Sequence, residues 1–233
     1  MVDDWLEDEG VESDRFSDAI RLLLLIAAVA TPLAQGQLST APDGAVAVLR
    51  AEGRLQKLDF WLRNPDYLAD ELLNDYEREN GNESILLDIA GDILDSDEPE
   101  ICAIPMLRYF FGAFEELDRA LSVLVAPRLL IITQQRSDQR VLQDNYFLTE
   151  KGQLLAAQAT EQFPELAWYT ERAVLVQALA ESTGHSALAL RRRQYLQIDY
   201  AQTPLNEIIP SIAVRTRARL AALRLARTQG DAA

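Results

Sequence analysis

Apolar residues return every three to four positions through much of the chain, which predicts helices as its main element. The first such run opens near Ser17, a residue type suited to capping a helix, and continues through residues 22–30 until Thr31-Pro32 stops it. Residues 33–44, rich in Gly, Gln, Ser and Pro, read as a loop. Val48, Leu55 and Leu62, with Leu58 between them, form one apolar stripe and predict a helix over 45–63. Asn64-Pro65-Asp66 then restarts the chain, with Asn64 as cap, Pro65 at the first helical position and Asp66 against the positive helix end. Leu68, Leu72 and Tyr76 line the inner face of that helix. A polar break at 77–83 precedes another apolar stretch over 85–94, and residues 95–100, DSDEPE, read as an exposed loop.

From Ile101 the texture changes. Phe114, Leu117, Leu121 and Leu124 predict a helix over 113–126, ended by Pro127. Residues 129–133 suit a short strand, 134–144 a polar loop, and Tyr146-Phe147-Leu148 a second strand. Thr149 can cap the following helix, and Gly152 lets its first turn lie close to the strand. Helix, strand, polar hairpin, strand, helix is the winged-helix order. Beyond residue 165 the pattern is helical, with breaks at Thr183-Gly184 and around Pro204 and Pro210. The expectation is a mainly α fold, a helical protein containing a winged-helix-like unit (helix, short β-hairpin wing, helix). Its regions would be an acidic arm at 1–16, an N-terminal helical region at 17–100, the winged-helix-like unit at 101–163 and a C-terminal helical region at 164–233, together one compact domain.

Charge sharpens this picture more than composition does. The formal net charge of −15 is unevenly spread: residues 1–100 hold 24 Asp and Glu against seven Lys and Arg, while 101–233 hold 13 against 15. From Arg215 onward there are five Arg and one acid, Asp231. DNA would be repelled by the first part and tolerated by the last. The acidic start is the opposite of a secretion signal, and the uninterrupted apolar run at 22–30 is nine residues where a membrane span needs about 20. A cytoplasmic protein without a membrane contact is expected.

Catalytic signatures are missing. No P-loop is present, and Gly184-His185-Ser186-Ala187-Leu188 lacks the closing Gly of a nucleophile elbow. His185 is the single histidine and Cys102 the single cysteine, which excludes a histidine-based triad with a second His, an internal disulfide and zinc fingers. Asp95, Asp97, Glu98 and Glu100 could chelate a divalent ion, but Pro99 sits fifth from Asp95 and no Gly follows, so the loop is not an EF-hand. No enzyme activity, metal or cofactor is expected.

In a DNA-reading winged helix, the helix before the wing enters the major groove and its exposed face supplies cations and amides. Here that helix offers Glu115, Glu116, Asp118 and Arg119, which fits a protein-contact face better than a polyanion. Arg136 and Arg140 in the hairpin, and Arg191, Arg192 and Arg193 further on, are the candidate nucleic-acid contacts. Adjacent helical residues fan over about 200°, so the triple Arg need not make one patch. The late Arg series could instead face water or pair with the chain's own acids.

Three segments, RLQKLDFWLRNPDYLADELL (54–73), MLRYFFGAFEELDRALSVLVAPRLL (106–130) and YFLTEKGQLLA (146–156), together resemble the middle component of bacterial ABC-three-component defence systems, the Lamassu-like group. The resemblance implies a non-catalytic, winged-helix-like adaptor that bridges an SMC-like ATPase subunit and a nuclease-type effector subunit in a DNA-associated anti-phage complex, with possible non-specific DNA contact. The alternative is a winged-helix transcriptional regulator that binds DNA as a dimer.

Overall fold

Helix α1 runs over Asp4–Val29. It therefore begins well before Ser17, and most of the expected acidic arm is helical. Its buried residues, among them Leu22, Leu24, Leu25 and Ile26, pack against the later helices at Asp118–Val125, Glu150–Gln162 and Pro164–Ser182. The computed structural model describes residues 4–79, 81, 83–96, 98, 102–110, 112–138, 140–182 and 187–230, and it is mainly helical, with eleven helices among those residues. After β1 (Thr31–Pro32) and the short α2 (Gln35–Leu38) comes the first departure from expectation. Residues expected to open a helix at 45 form β2, Ala45–Arg50, and α3 starts only at Glu52 and ends at Arg63. Val46 and Val48 are β-branched and suit a pleated surface, and the later strand Arg140–Thr149 offers them a ladder, with Val48 opposite Phe147 and Arg50 opposite Asn145. Ala51, at φ 70°, turns the strand into the helix.

The chain divides into two units, each drawn from two stretches of sequence: Met1–Asp59 with Glu115–Leu190, and Phe60–Phe114 with Arg191–Ala233.

In the first unit, α6 (Asp118–Val125), β5 (Leu130–Ser137), β6 (Arg140–Thr149), α7 (Glu150–Gln162) and α8 (Pro164–Ser182) follow in order. The sheet is antiparallel, in the order β1-β2-β6-β5. Both strands of the hairpin are longer than expected: residues 134–144, predicted as a polar loop, pair across the hairpin up to Ser137 opposite Arg140. Thr149 caps α7 as its type suggests, its Oγ1 accepting from the Gly152 N–H at 3.0 Å and lying 2.8 Å from the Arg128 carbonyl. Gly152 has no room for a side chain, because a Cβ there would land on the Leu129 carbonyl oxygen and crowd Leu148. Gly152→Ala should therefore force α7 off the hairpin and lower stability by about 1–3 kcal/mol, the usual penalty of overpacking. Urea unfolding checks this, and an unchanged midpoint would refute the close approach.

In the second unit, α4 (Pro65–Arg78) and α5 (Ser84–Asp95) pack on α11 (Ala213–Gly230). A small hairpin, β3 (Leu107–Tyr109) with β4 (Gly112–Phe114), and helices α9 (Ala187–Leu196) and α10 (Ile198–Gln202) complete the described elements, α9 being divided between the units. Pro65 occupies the first turn of α4 as expected, and Leu68, Leu72 and Tyr76 are buried. Asn64 stands at the cap position, but its side chain donates to the Phe60 carbonyl at 2.7 Å and so serves the end of α3. Asp66 reaches across the unit, accepting from the Ile212 N–H at 2.7 Å and the Ser211 hydroxyl at 2.8 Å, which satisfies donors at the entrance of α11. Phe60 lies edge-on to Trp61, Tyr67 and Tyr200 at ring separations of 5.1–5.3 Å. Burial pushes the Tyr200 phenol up to about 12, and its oxygen accepts from the Ala113 N–H at 2.6 Å.

Within this unit, arginines from the last part of the chain pair with acids from its first part. Arg219 pairs with Asp70 at 2.8 Å and with Glu77, Arg215 with Asp199 at 3.1 Å, and Arg224 with Asp95 at 3.4 Å. Arg217 donates to the Leu94 carbonyl at 2.9 Å. Asp70 and Glu77 of α4 and Asp95 of α5 are thus partners of arginines that follow residue 190.

Candidate interaction surface

The helix expected over 113–126 is shorter than its apolar pattern suggests. Ala113 and Phe114 pair with Arg108 and Leu107 in the β3–β4 hairpin, and α6 begins only at Asp118. Leu117, Leu121 and Leu124 are buried, so the inner face is as expected, but Glu115 and Glu116 lie on the non-helical approach.

Glu115 is a structural residue in this setting. Its carbonyl accepts from Gln56 Nε2 at 2.7 Å and its N–H donates to Gln56 Oε1 at 3.3 Å. Its carboxylate lies 3.8 Å from the Arg21 guanidinium. Arg21, 1% exposed, grips Asp59, 0% exposed, with Nε at 2.9 Å from one oxygen and a terminal nitrogen at 3.4 Å from the other, and it also pairs with Asp18. Burial alone would lower the Arg21 pKa; Asp59 and Asp18 outweigh it and raise the value, so the guanidinium stays charged. Of the four candidate protein-contact residues, Glu116, Asp118 and Arg119 are exposed, whereas Glu115 belongs to this cluster.

The hairpin supplies the second surface. Because β2 ends opposite Asn145, residues 134–144 continue past it as a two-stranded ribbon with Arg136 and Arg140 flanking its turn. Arg136 donates to Gln134 Oε1 at 3.0 Å, and Gln134 donates in turn to Asp144 at 3.0 Å across the strands. Asp138 and Asp144 balance the two arginines, and Val141 and Leu142 are exposed between them. Arg128 and Lys151, which the sequence pattern did not single out, are exposed beyond the other end of β5 and β6, Lys151 donating to the Pro127 carbonyl at 3.0 Å. Their only sequence signal is position beside Pro127 and Thr149.

The triple Arg is split by the helical fan. Arg193 is buried and pairs with Glu71 at 2.8 Å and with Asp75, which removes it from the candidate phosphate contacts. Arg191 stacks 5.2 Å from the Tyr195 ring centre, and Arg192 is exposed.

Among the described residues no three His, Cys, Asp or Glu side chains converge as metal ligands. Asp97, Glu100, Thr183, Gly184, His185 and Ser186 lie outside the described residues. No described helix is long and apolar enough to cross a membrane. No family model, curated protein or solved structure matches the chain.

Proposed function

We propose that the chain is a non-catalytic adaptor whose first unit is a winged-helix-like scaffold used to contact protein. The support for the scaffold is topological: helix α6, strands β5 and β6 and helix α7 follow in winged-helix order, and β2 pairs on the far side of β6. The observation that carries the adaptor reading is the exposed surface of the short helix before the hairpin. Its entrance presents Glu116 and Asp118, and Arg119 is its single exposed cation. A groove reader places cations and amides at that end, where phosphate and base edges meet it. The ribbon arginines Arg136 and Arg140 suit weak, sequence-independent phosphate contact beside a protein partner. The resemblance of residues 54–73, 106–130 and 146–156 to the middle component of ABC-three-component defence systems names the partners, an SMC-like ATPase and a nuclease-type effector.

The test is co-expression of the tagged chain with an ATPase and an effector encoded beside it. A stable complex is expected, and Glu116→Lys with Asp118→Lys should weaken assembly by about tenfold or more, as for a charged interface centre, without moving the unfolding midpoint. DNA binding should be salt-sensitive, indifferent to sequence and reduced by Arg136→Ala with Arg140→Ala. A chain that stays alone beside soluble neighbours, or that binds a defined palindrome as a dimer, would overturn the adaptor reading in favour of a regulator.

A further inference from the structure

The first unit carries an apolar groove that none of the surfaces above uses. It encloses about 480 Å³ between α1, α7 and α8 and is lined by Ile20, Leu23, Leu155, Ala159, Phe163 and Leu166. Ile20 and Leu155 are each 42% exposed and Phe163 is 56% exposed, with Phe16 and Leu154 exposed on the same helices. Large side chains grouped this way on a surface mark a contact site more often than isolated ones do.

Charge identifies what fits there. Glu165 lines the groove from the start of α8, and Glu161 is exposed at the end of α7. The first unit as a whole holds 21 acids against 11 bases. A second copy would bring the same negative field to the contact, and an anionic lipid surface would be repelled likewise. A helix laid into an apolar groove is a recurrent recognition mode, and here its polar flanks must be cationic. We propose that this groove receives a basic amphipathic helix of a partner protein, its apolar stripe on Leu155 and Phe163 and its Lys or Arg beside Glu161 and Glu165. The inference rests on the reading of the chain as an interaction subunit, but on residues separate from Glu116 and Asp118.

The probe is a labelled synthetic Leu/Lys helix of about 18 residues, five turns long, with Leu at i, i+3, i+4 and i+7, titrated into the full chain by fluorescence anisotropy. A matched Leu/Glu peptide serves as its counterpart. The expected result is saturable binding of the Leu/Lys peptide, and a loss of at least about tenfold in Leu155→Ser with Phe163→Ser, the scale of losing two anchor contacts. These positions are exposed, so the fold should persist, and circular dichroism confirms it. Glu161→Lys with Glu165→Lys should weaken the Leu/Lys peptide and admit the Leu/Glu one. Equal binding to wild type and the Leu155/Phe163 variant would reduce the effect to diffuse charge attraction and overturn the proposal, as would no binding, or equal binding of the Leu/Glu peptide. Dimerisation of the wild type alone, abolished in the Leu155/Phe163 variant, would assign the groove to a second copy instead. Failure of the two readings is separable. A partner complex that survives Leu155→Ser with Phe163→Ser but not the Glu116 and Asp118 reversals removes the groove and keeps the adaptor; peptide binding by a chain that forms no complex does the reverse.

Discussion

Replacing Arg21 by Met is expected to destabilise the first unit by about 3–5 kcal/mol, the range for breaking a buried ion pair. The reason is geometric. Asp59 is wholly buried and accepts two bonds from the Arg21 guanidinium, so its carboxylate would remain in the interior without that cation. Asp59→Ala should cost less, near the lower end of about 3 kcal/mol, because Arg21 keeps Asp18 and lies within 3.8 Å of Glu115. The order of the two losses is the informative quantity. Urea denaturation at neutral pH measures both, and Arg21→Met combined with Asp59→Leu should recover much of the single loss, since an apolar pair needs no charge compensation. Losses in the opposite order, or no recovery in the double variant, would refute this account of the buried pair. The same cluster explains why Glu115 is a poor choice for probing a docking face: its reversal would place a cation beside Arg21.

What the sequence reveals and conceals follows from where the deciding partner lies. Pro65 and Thr149 act on the first turn of their own helices and Gly152 by its lack of a side chain, so their residue types alone predict the roles they fill. The inner faces of α4 and α6 are legible for the same reason, because a stripe at helical spacing is a property of one segment. The run AVAVLR at 45–50 carries an apolar pattern short enough to suit helix or strand, and β6, about a hundred residues later, decides it. The helix expected from 113 loses its first turn and more to a partner too, since Ala113 and Phe114 are drawn into β4 by β3. The ribbon escaped notice because both its faces are largely polar, so its strands lack the alternation that marks a half-buried sheet. Within RRR at 191–193 nothing local separates Arg192, exposed, from Arg193, buried; Glu71 and Asp75 make the distinction. The exposure of Glu116, Asp118 and Arg119 was legible from the same stripe of α6. The groove was hidden because Ile20, Leu155 and Leu166 sit on three separate helices.

Arg193→Met should be the corresponding lesion of the second unit, with a pH signature of its own. Glu71 is 1% exposed, and burial pushes its pKa up, while Arg193, Gln197 and Asn74 pull it down without cancelling that effect; nearby Asp75 adds to the rise. A carboxyl whose folded pKa exceeds its unfolded one takes up protons on folding. Its contribution to stability is therefore fullest below the unfolded value and declines as pH rises through the folded one. Removing Arg193 takes away the largest of the influences holding that pKa down, so the folded value climbs further and the declining window widens upward. The loss relative to wild type should be about 3–5 kcal/mol at neutral pH, as for a buried charge deprived of its partner. It should shrink measurably at pH 5, where Glu71 is neutralised in the variant at less expense. Gln in place of Glu71 in the Arg193→Met background should restore most of the stability at neutral pH and abolish the pH dependence of the difference, with the amide still able to bond to Gln197 and Asn74. Urea midpoints at the two pH values, taken as differences from wild type, decide the matter. Equal losses at both would mean that Arg193 contributes packing alone, and that the neutralisation of α4 by the arginines beyond residue 190 is not what holds this unit together.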